Sequence, residues 1–292
     1  MKGINSEGRP FRIGNQTSYA ARYPLLPFEY AVAGGFDAFE WFPDKKGNGA
    51  GFSITDINHR TRRSISQTAR ANGITLSVHA PGGSDPFTPM GHDHMLQGIS
   101  FAREIGATLF TIHLCAEAVR FIPAIDHIME HTAAMGISLA IENTPHTSPE
   151  DINGVFSHLR ASRARKASHV GMCLDLGHAN LSPSTVNDYL RFFDRLDPEV
   201  PIIHVHLHEN FGDRDSHLLV FTGPSARDTS GLQGFLDRLK KRGFSGSIIL
   251  EQWPDPPSLL NRARERLLVM ADQHRQGNGT VHARDSNDLE GE

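Results

Sequence analysis

Histidines and acids concentrate in one short stretch of this 292-residue chain. Residues 201–217 read PIIHVHLHENFGDRDSH, in which an apolar run carries three histidines and the following loop carries Asp215 and His217. Nitrogen and oxygen ligands without a thiolate suit Mn, Co, Zn, Mg or Fe(II). The stretch therefore predicts a site for a divalent metal ion, whose identity the ligand types leave open.

The three histidines of this run share one face of a predicted strand. Successive strand side chains point to opposite faces, so the apolar residues between the histidines form the other face and pack under helices. His206 lies near the end of the strand and is predicted to be a metal ligand. His204 lies one pleat deeper, and we expect it to be packed beneath the site.

Six further apolar runs carry an acid or a histidine near their ends. Small residues precede these groups on the same face, for example Ala140 before Glu142 and Cys173 before Asp175, as a narrow interior requires. Burying such charged groups is costly unless they are paired or bind a metal. We therefore predict one metal centre formed by Glu142, Asp175, His206 and Glu251. The remaining three strand-end groups are Glu40, His79 and His113.

Eight apolar runs alternate with helix-length segments along the chain. Alternating strands and helices predict parallel strands with helical crossovers, and eight units closing on themselves give an α/β fold, a single (β/α)8 TIM barrel. A doubly wound open sheet is the alternative. In a barrel the carboxyl ends of the strands meet at one mouth, where the predicted ligands would lie. The runs are 11–18, 36–42, 74–80, 108–114, 137–143, 170–178, 202–209 and 247–253.

The length of the chain fits one barrel domain, because α/β barrels of this size occur as single domains. We predict the barrel over residues 1–275, with the last helix at about 257–275. Residues 276–292 read QGNGTVHARDSNDLEGE and contain almost no large apolar residues. That composition predicts a disordered polar tail.

The composition of the chain limits which binding partners and which cellular location we expect. A formal charge of -4 gives no general attraction to nucleic acid or to an anionic membrane. No apolar run approaches the ~20 residues of a membrane span, and the first residues lack a signal peptide. The two cysteines, Cys115 and Cys173, predict no disulfide framework and favour the cytoplasm. Cys173 is predicted to be a small buried hydrophobic residue. Homo-oligomerisation is left open.

Several motifs, taken in order, resemble those of the xylose isomerase-like barrel superfamily, which includes sugar isomerases and epimerases, inosose dehydratases and endonuclease IV. They are SVHAP, TIHL, AIENTP, CLDLGHAN, HVHLHEN with the following DRDSH, and LEQW, within about residues 11–272. In sugar-acting members the resemblance implies metal ligands at Glu142, Asp175, His206 and Glu251. It also implies that Glu142 and Glu251 form the acid/base pair and that His178 contacts substrate.

Endonuclease members use more metal ligands. The resemblance places their additional positions at His79, His113, His178, Asp215 and His217, and all five residue types are present. An endonuclease IV-like enzyme with several zinc ions that cuts abasic-site DNA is therefore the alternative function. Charge placement favours a small-molecule enzyme, because the basic runs ASRARKAS and KKRG precede strands and so lie opposite the mouth, where DNA phosphates would need them. CLDLGHAN also has Gly177 where endonuclease IV carries a cysteine.

The resulting hypothesis is a divalent-metal-dependent isomerase or epimerase of a sugar, sugar phosphate or polyol, with an inosose-type dehydratase as a related reaction. A non-catalytic barrel is disfavoured, because both members of the acid/base pair, Glu142 and Glu251, are present. The predicted substrate contacts are His178, Arg214, Trp253 and Glu40, with Phe211 as a further apolar wall.

Overall fold

Eight short strands pair in parallel in chain order, and the last strand pairs with the first. The computed structural model describes residues 11–162 and 165–276. The closed order confirms the predicted (β/α)8 barrel and excludes the open sheet. The strands are β1 (Arg12–Gln16), β2 (Ala38–Trp41), β3 (Thr75–His79), β4 (Leu109–His113), β5 (Ser138–Glu142), β6 (Val170–Asp175), β7 (Ile202–Leu207) and β8 (Ser247–Leu250).

Helices connect the strands on the outside of the barrel. Among the residues that the structure describes, no helix is long and apolar enough to span a membrane. The α-helices are α1 (Leu26–Ala33), α2 (His59–Ala71), α3 (Pro89–Ile105), α4 (Ala118–Ala124), α5 (Asp126–Met135), α6 (Pro149–Ser162), α7 (Leu176–Leu181), α8 (Tyr189–Asp194), α9 (Ser230–Lys241) and α10 (Ser258–Gln276). Short 3-10 helices occur at Ile54–Asp56, Arg165–His169 and Pro224–Ala226.

Each predicted apolar run contains one strand, and the last helix lies where it was predicted. The run 170–178 differs, because its strand ends at Asp175 and α7 begins at once. The cause is a helix cap: the Asp175 carboxylate accepts a hydrogen bond from the backbone N–H of His178. His178 therefore lies in the first turn of a helix. The predicted tail lies outside the described residues, apart from Gln276 at the end of α10.

Side chains along each strand point alternately to the apolar core outside the sheet and to the interior of the barrel. In β5, Leu139 and Ile141 pack into the apolar core between strands and helices, and in β7 Val205 and Leu207 do the same. The side chains on the opposite, interior face of these strands include Glu142 and the imidazoles of β7. Burying one such aliphatic side chain stabilises the fold by about 1.5–3 kcal/mol. A one-residue register slip would remove the aliphatic side chains from the core, so their burial holds the site residues on the interior face.

Candidate metal centre

Four strand ends bring one imidazole and three carboxylates together. Glu142, Asp175 and His206 are almost completely buried, and Glu251 directly follows β8. The Nδ1 atom of His206 lies 3.2 Å from Glu142 Oε2, 3.3 Å from Glu251 Oε1 and 3.9 Å from Asp175 Oδ2. The structure thus gathers the four residues predicted as one metal centre around a single nitrogen atom.

The chemistry of this group fits a divalent cation. Burial raises the pKa of the Glu142 carboxyl, but the neighbouring imidazoles of His206 and His113 hold that pKa well below its usual range. The buried atoms His206 Nδ1 and Glu251 Oε2 make no hydrogen bond within residues 11–162 and 165–276. Converging carboxylates repel one another, and buried polar atoms without partners are costly. Three carboxylates and one imidazole would satisfy a hard or borderline divalent ion.

Glu40 lies beneath this group and not in the cavity above it. Its Oε1 atom lies 2.7 Å from His206 Nε2, and its Oε2 atom lies 2.9 Å from His204 Nε2. Burial raises the pKa of the Glu40 carboxyl, but His206 and His204 outweigh it and hold that pKa well below its usual range. The side chain is fully buried and cannot make the predicted substrate contact. Its position beside His206 Nε2 instead supports a role in orienting that imidazole.

Glu40→Gln should weaken metal binding about 10–100-fold, because a carboxylate beside a ligating imidazole fixes its tautomer and ring orientation. The measurement is a competition titration of the purified protein with a chelator. Asp37→Asn is the matched control, since Asp37 immediately precedes the same strand, β2, and contacts Ile13 and Arg264 instead. Unchanged affinity in Glu40→Gln would show that Glu40 does not position His206.

His79 and His113 approach Glu142 from the neighbouring strands. The His79 Nε2 atom lies 3.1 Å from Glu142 Oε2, and the His113 Nε2 atom lies 3.5 Å from Glu142 Oε1. A contact of 2.8 Å between His79 Nδ1 and the Ala80 carbonyl fixes that ring, so that its other nitrogen faces the carboxylate. Their potential donor atoms lie within 4.8 Å of one another and form a second metal-capable group.

A third group, which we call the outer group, consists of His178, His208, Asp215 and His217. Their potential donor atoms also lie within 4.8 Å of one another. The Asp215 Oδ2 atom lies 3.3 Å from His178 Nε2 and 3.1 Å from His217 Nε2. Burial lowers the pKa of His217, but its hydrogen bond with Asp215 outweighs this and raises the pKa to about 9. The site prediction omitted His208, although it shares a strand face with His206 and so carried a usable signal.

Backbone contacts hold the loop that carries Asp215 and His217. The backbones of Glu209 and Leu218 pair with each other, at 2.8 Å and 2.9 Å. The Glu209 carboxylate accepts hydrogen bonds from the N–H groups of Gly223, at 2.9 Å, and Ser225, at 3.1 Å. Glu209 is therefore a structural residue that closes the loop over residues 209–225.

Asn143 joins two of the ligand strands. Its side-chain amide donates to the Asp175 carbonyl, and its side-chain oxygen accepts from the Asp175 N–H, both at 2.9 Å. The Asn143 carbonyl also lies 2.8 Å from His178 Nδ1. These contacts orient Asp175 and His178 together. Motif reasoning assigned no role to Asn143, whose only signal was its place after Glu142.

Gly177 leaves room for the ring of His208. A Cβ atom at this position would lie 1.9 Å from His208 Cε1. Gly177→Ala should therefore destabilise the protein by about 1–3 kcal/mol, the usual range for overpacking, and displace His208. Urea unfolding gives the change in stability.

Gly154→Ala on α6 is the control for that substitution, because the nearest atom to its added Cβ, Ala118 Cβ, would be 4.0 Å away. We expect Gly154→Ala to be neutral or to stabilise by about 0.4–1 kcal/mol. Equal stability of Gly177→Ala and the wild type would contradict the packing described for His208.

A cavity of about 620 Å³ opens onto the carboxylates. Glu142, Glu251, His79, His113 and His178 contribute to its floor and walls, with Asp215 and His217 from the loop. Trp253, a predicted substrate contact, lines the cavity. Arg214 is exposed and is not among the lining residues, and Phe211 is 60% exposed. The size suits a small-molecule substrate.

Lysine and arginine side chains are absent from the described lining of this cavity. The nearby Lys46 forms an ion pair with Asp44 at 3.0 Å, and Lys45 forms one with Asp56 at 3.0 Å. The basic run 240–243 begins in the last turn of α9, before β8, and so lies at the end of the barrel opposite the cavity. Residues 163–166 of the other basic run have no described side chains. The described cavity therefore offers imidazoles and carboxylates and no Lys or Arg for phosphates.

Family comparison assigns the class of protein. Residues 28–272 match the xylose isomerase-like TIM barrel family, and the chain belongs to that family. A curated relative, the uncharacterized protein y4fM of Sinorhizobium fredii, is 25% identical over 229 residues, which are 65% of this chain and 70% of the relative.

Solved structures share the fold at low sequence identity. A D-tagatose 3-epimerase-like protein superposes with a TM-score of 0.68 at 18% identity, covering 91% of this chain and 100% of the other. Endonuclease IV from Thermus thermophilus superposes with a TM-score of 0.62 at 20% identity, covering 88% of this chain and 99% of the other. Both branches named in the sequence analysis therefore have this barrel, and the choice between them depends on the site.

Proposed function

We propose that this protein is a divalent-metal-dependent isomerase or epimerase of a sugar, sugar phosphate or polyol. The observation that carries the proposal is the cavity of about 620 Å³, which is lined by two glutamates, Glu142 and Glu251, and has no Lys or Arg in its described lining. Glu142, Asp175, His206 and Glu251 would hold the metal ion. A cation held there would act as a Lewis acid on a carbonyl of the substrate.

The paired glutamates supply the proton transfers. One carboxylate removes the proton from the carbon beside the substrate carbonyl, and the electron pair of that C–H bond forms an enediolate. The other glutamate returns a proton. Both Glu142 and Glu251 approach the same nitrogen of His206, at 3.2 Å and 3.3 Å, so both can act on one bound substrate.

The position of the returned proton decides the product. Return to the same carbon from the opposite face inverts that centre, which is epimerisation. Return to the neighbouring carbon, with transfer of the hydroxyl proton to the former carbonyl oxygen, moves the carbonyl, which is isomerisation. Expulsion of a β-hydroxyl as water gives the dehydration of an inosose-type substrate. Epimerisation and isomerisation conserve the atoms of the substrate, and both need only the glutamate pair and the cation.

Two further side chains would position the substrate. His178 reaches the cavity through the first turn of α7, and Trp253 offers an apolar wall whose indole packs edge-on against Tyr30, with ring centroids 5.5 Å apart. Arg214 would need a movement of the 209–225 loop to contact a substrate. The free cysteines, Cys115 and Cys173, support a cytoplasmic location for this activity.

Conversion assays on a substrate panel test the proposal. Protein loaded in turn with Mn, Zn, Co or Mg is incubated with ketoses, inososes and their phosphates, and new isomers or epimers are separated by chromatography. We expect at least one metal-dependent conversion. Failure of every metal form on every substrate class would count against the proposal.

The endonuclease IV-like function is the second candidate, and the outer group with His79 and His113 is the observation that favours it. A DNA-binding mouth would neutralise several phosphates, so binding would fall steeply with salt. From the absence of Lys and Arg in the described lining, we expect no appreciable incision of an abasic-site duplex at roughly 0.15 M salt. Vigorous incision under these conditions would promote the nuclease.

A further inference from the structure

We infer that three histidines on the outer helices, His92 of α3 with His127 and His131 of α5, form a surface binding site for a divalent transition-metal ion such as zinc. We call these three residues the helix histidines. None of them belongs to the described lining of the cavity over the glutamate pair. The inferred ion is therefore separate from the metal centre in the barrel, and the inference does not depend on the proposed function.

The spacing on α5 brings two of these imidazoles to one helical face. His127 and His131 are four residues apart within the helix. Side chains at this spacing are neighbours, with roughly 5–6 Å between their Cβ atoms. Two histidines four residues apart can bind one zinc ion from a single helical face. Their ring centroids lie 6.1 Å apart.

His92 adds a third imidazole from the neighbouring helix. The helices α3 and α5 contact each other, and the rings of His92 and His127 are nearly parallel, with centroids 5.3 Å apart. Zinc–nitrogen bonds of about 2.0–2.1 Å in a tetrahedron place the centroids of two bound rings roughly 5 Å apart. The separation of each α5 or α3 neighbour from His127 is near this value. Rotation of the rings about their side-chain bonds would therefore direct one nitrogen of each toward a shared ion.

The ring nitrogens of the helix histidines are available to a ligand. Within residues 11–162 and 165–276, these three side chains make no hydrogen bond or ion pair. His127 is exposed, and His92 and His131 are half-buried. Metal binding would therefore change the contacts between the rings but would break no hydrogen bond or ion pair of these side chains.

The charges beside the helix histidines favour a cation. An acid adjoins each of them in the chain, namely Asp93, Asp126 and Glu130. The α5 helix contains no Lys or Arg. Imidazole ligands suit zinc, copper and nickel, and three of them on a tetrahedral ion leave one position open to water. We therefore expect an accessible site that takes an ion from solution and links α3 to α5.

Chemical modification locates the inferred site. Diethyl pyrocarbonate reacts with free imidazole nitrogens, and a bound metal ion protects the nitrogen that it occupies. The whole chain is treated with the reagent in the presence and absence of Zn²⁺, and modified residues are identified by mass spectrometry. We expect zinc to lower the modification of all three helix histidines. His158 is the control, because it is an exposed histidine on α6 and should react equally in both conditions.

Zinc titration of variants measures the contribution of each ligand. We expect His92→Ala, His127→Ala and His131→Ala each to weaken one zinc site by more than ~10-fold, since losing a residue that only orients a ligand already costs about 10–100-fold. His158→Ala should bind zinc as the wild type does. Equilibrium dialysis with elemental analysis gives the affinities and the number of ions.

Two results would contradict the inference. Unchanged zinc binding in His127→Ala or His131→Ala, or no protection of these residues by zinc, would overturn the site. Unchanged zinc binding in His92→Ala would overturn the three-ligand arrangement across the two helices. None of these measurements follows sugar conversion, and all compare residues outside the cavity, so their failure would be distinguishable from failure of the proposed function.

Discussion

Glu142→Gln and Glu251→Gln should each lower turnover at least ~10²-fold on any substrate that the wild type converts. This is the lower range for removing a positioned general acid or base. The amide keeps the size of the side chain but neither accepts nor returns the proton. The measurement is kcat under saturating substrate, with metal content determined on the same samples, because both glutamates also lie against His206.

Turnover measured at saturating metal distinguishes the loss of proton transfer from the loss of metal binding in these variants. Activity that stays low when the variant is fully loaded reports the missing proton transfer, whereas activity that recovers reports weaker metal binding. Glu104→Gln is the matched control, since Glu104 pairs with His59 and Arg62 on the outer helices. A glutamine variant with full metal and full turnover would show that its glutamate is not catalytic.

Asp175→Ala and His206→Ala should weaken retention of the inner metal ion by more than ~10²-fold. Loss of an outer-shell partner already costs up to that factor, and these side chains lie against the proposed ion itself. His206 Nδ1 has three carboxylates within 3.9 Å, so its removal leaves them to repel one another. Elemental analysis after exposure to a chelator gives the retained metal.

His59→Ala is the control for metal retention, because its side chain is 76% exposed on α2, outside the barrel. It should hold as much metal as the wild type. If the wild type and both ligand variants held equal, near-zero metal even after reloading, the proposed metal centre would have no support.

Strand alternation was sufficient to predict that Glu142, Asp175, His206 and Glu251 lie together. Each member lies on the interior face of its strand or directly beyond it, and the closed barrel brings these ends to one mouth. The depth of a residue is harder to predict, since it depends on how neighbouring strands are staggered. Glu40 pairs with Ser77, two residues before His79, and therefore lies a layer below His79 and under His206. Alternation alone cannot reveal that stagger.

The loop after β7 was less predictable for a different reason. Its residues have no periodicity that assigns faces, so the sequence alone could not decide which of Arg214, Asp215 and His217 turn inward. The structure decides it through the hydrogen bonds of Glu209 and the left-handed backbone of His217. Asp215 and His217 line the cavity, and Arg214 stays exposed.

Proton exchange with solvent is the direct test of proton transfer by the glutamate pair. Metal-loaded protein is incubated in heavy water with the panel of ketoses, inososes and their phosphates, and deuterium is located by NMR. We expect deuterium at the carbon beside the carbonyl of at least one compound, and its loss in Glu142→Gln or Glu251→Gln, because the proposed base exchanges its proton with solvent. No deuterium in any panel compound, together with abasic-site cleavage that disappears in His113→Ala and His217→Ala, would contradict it.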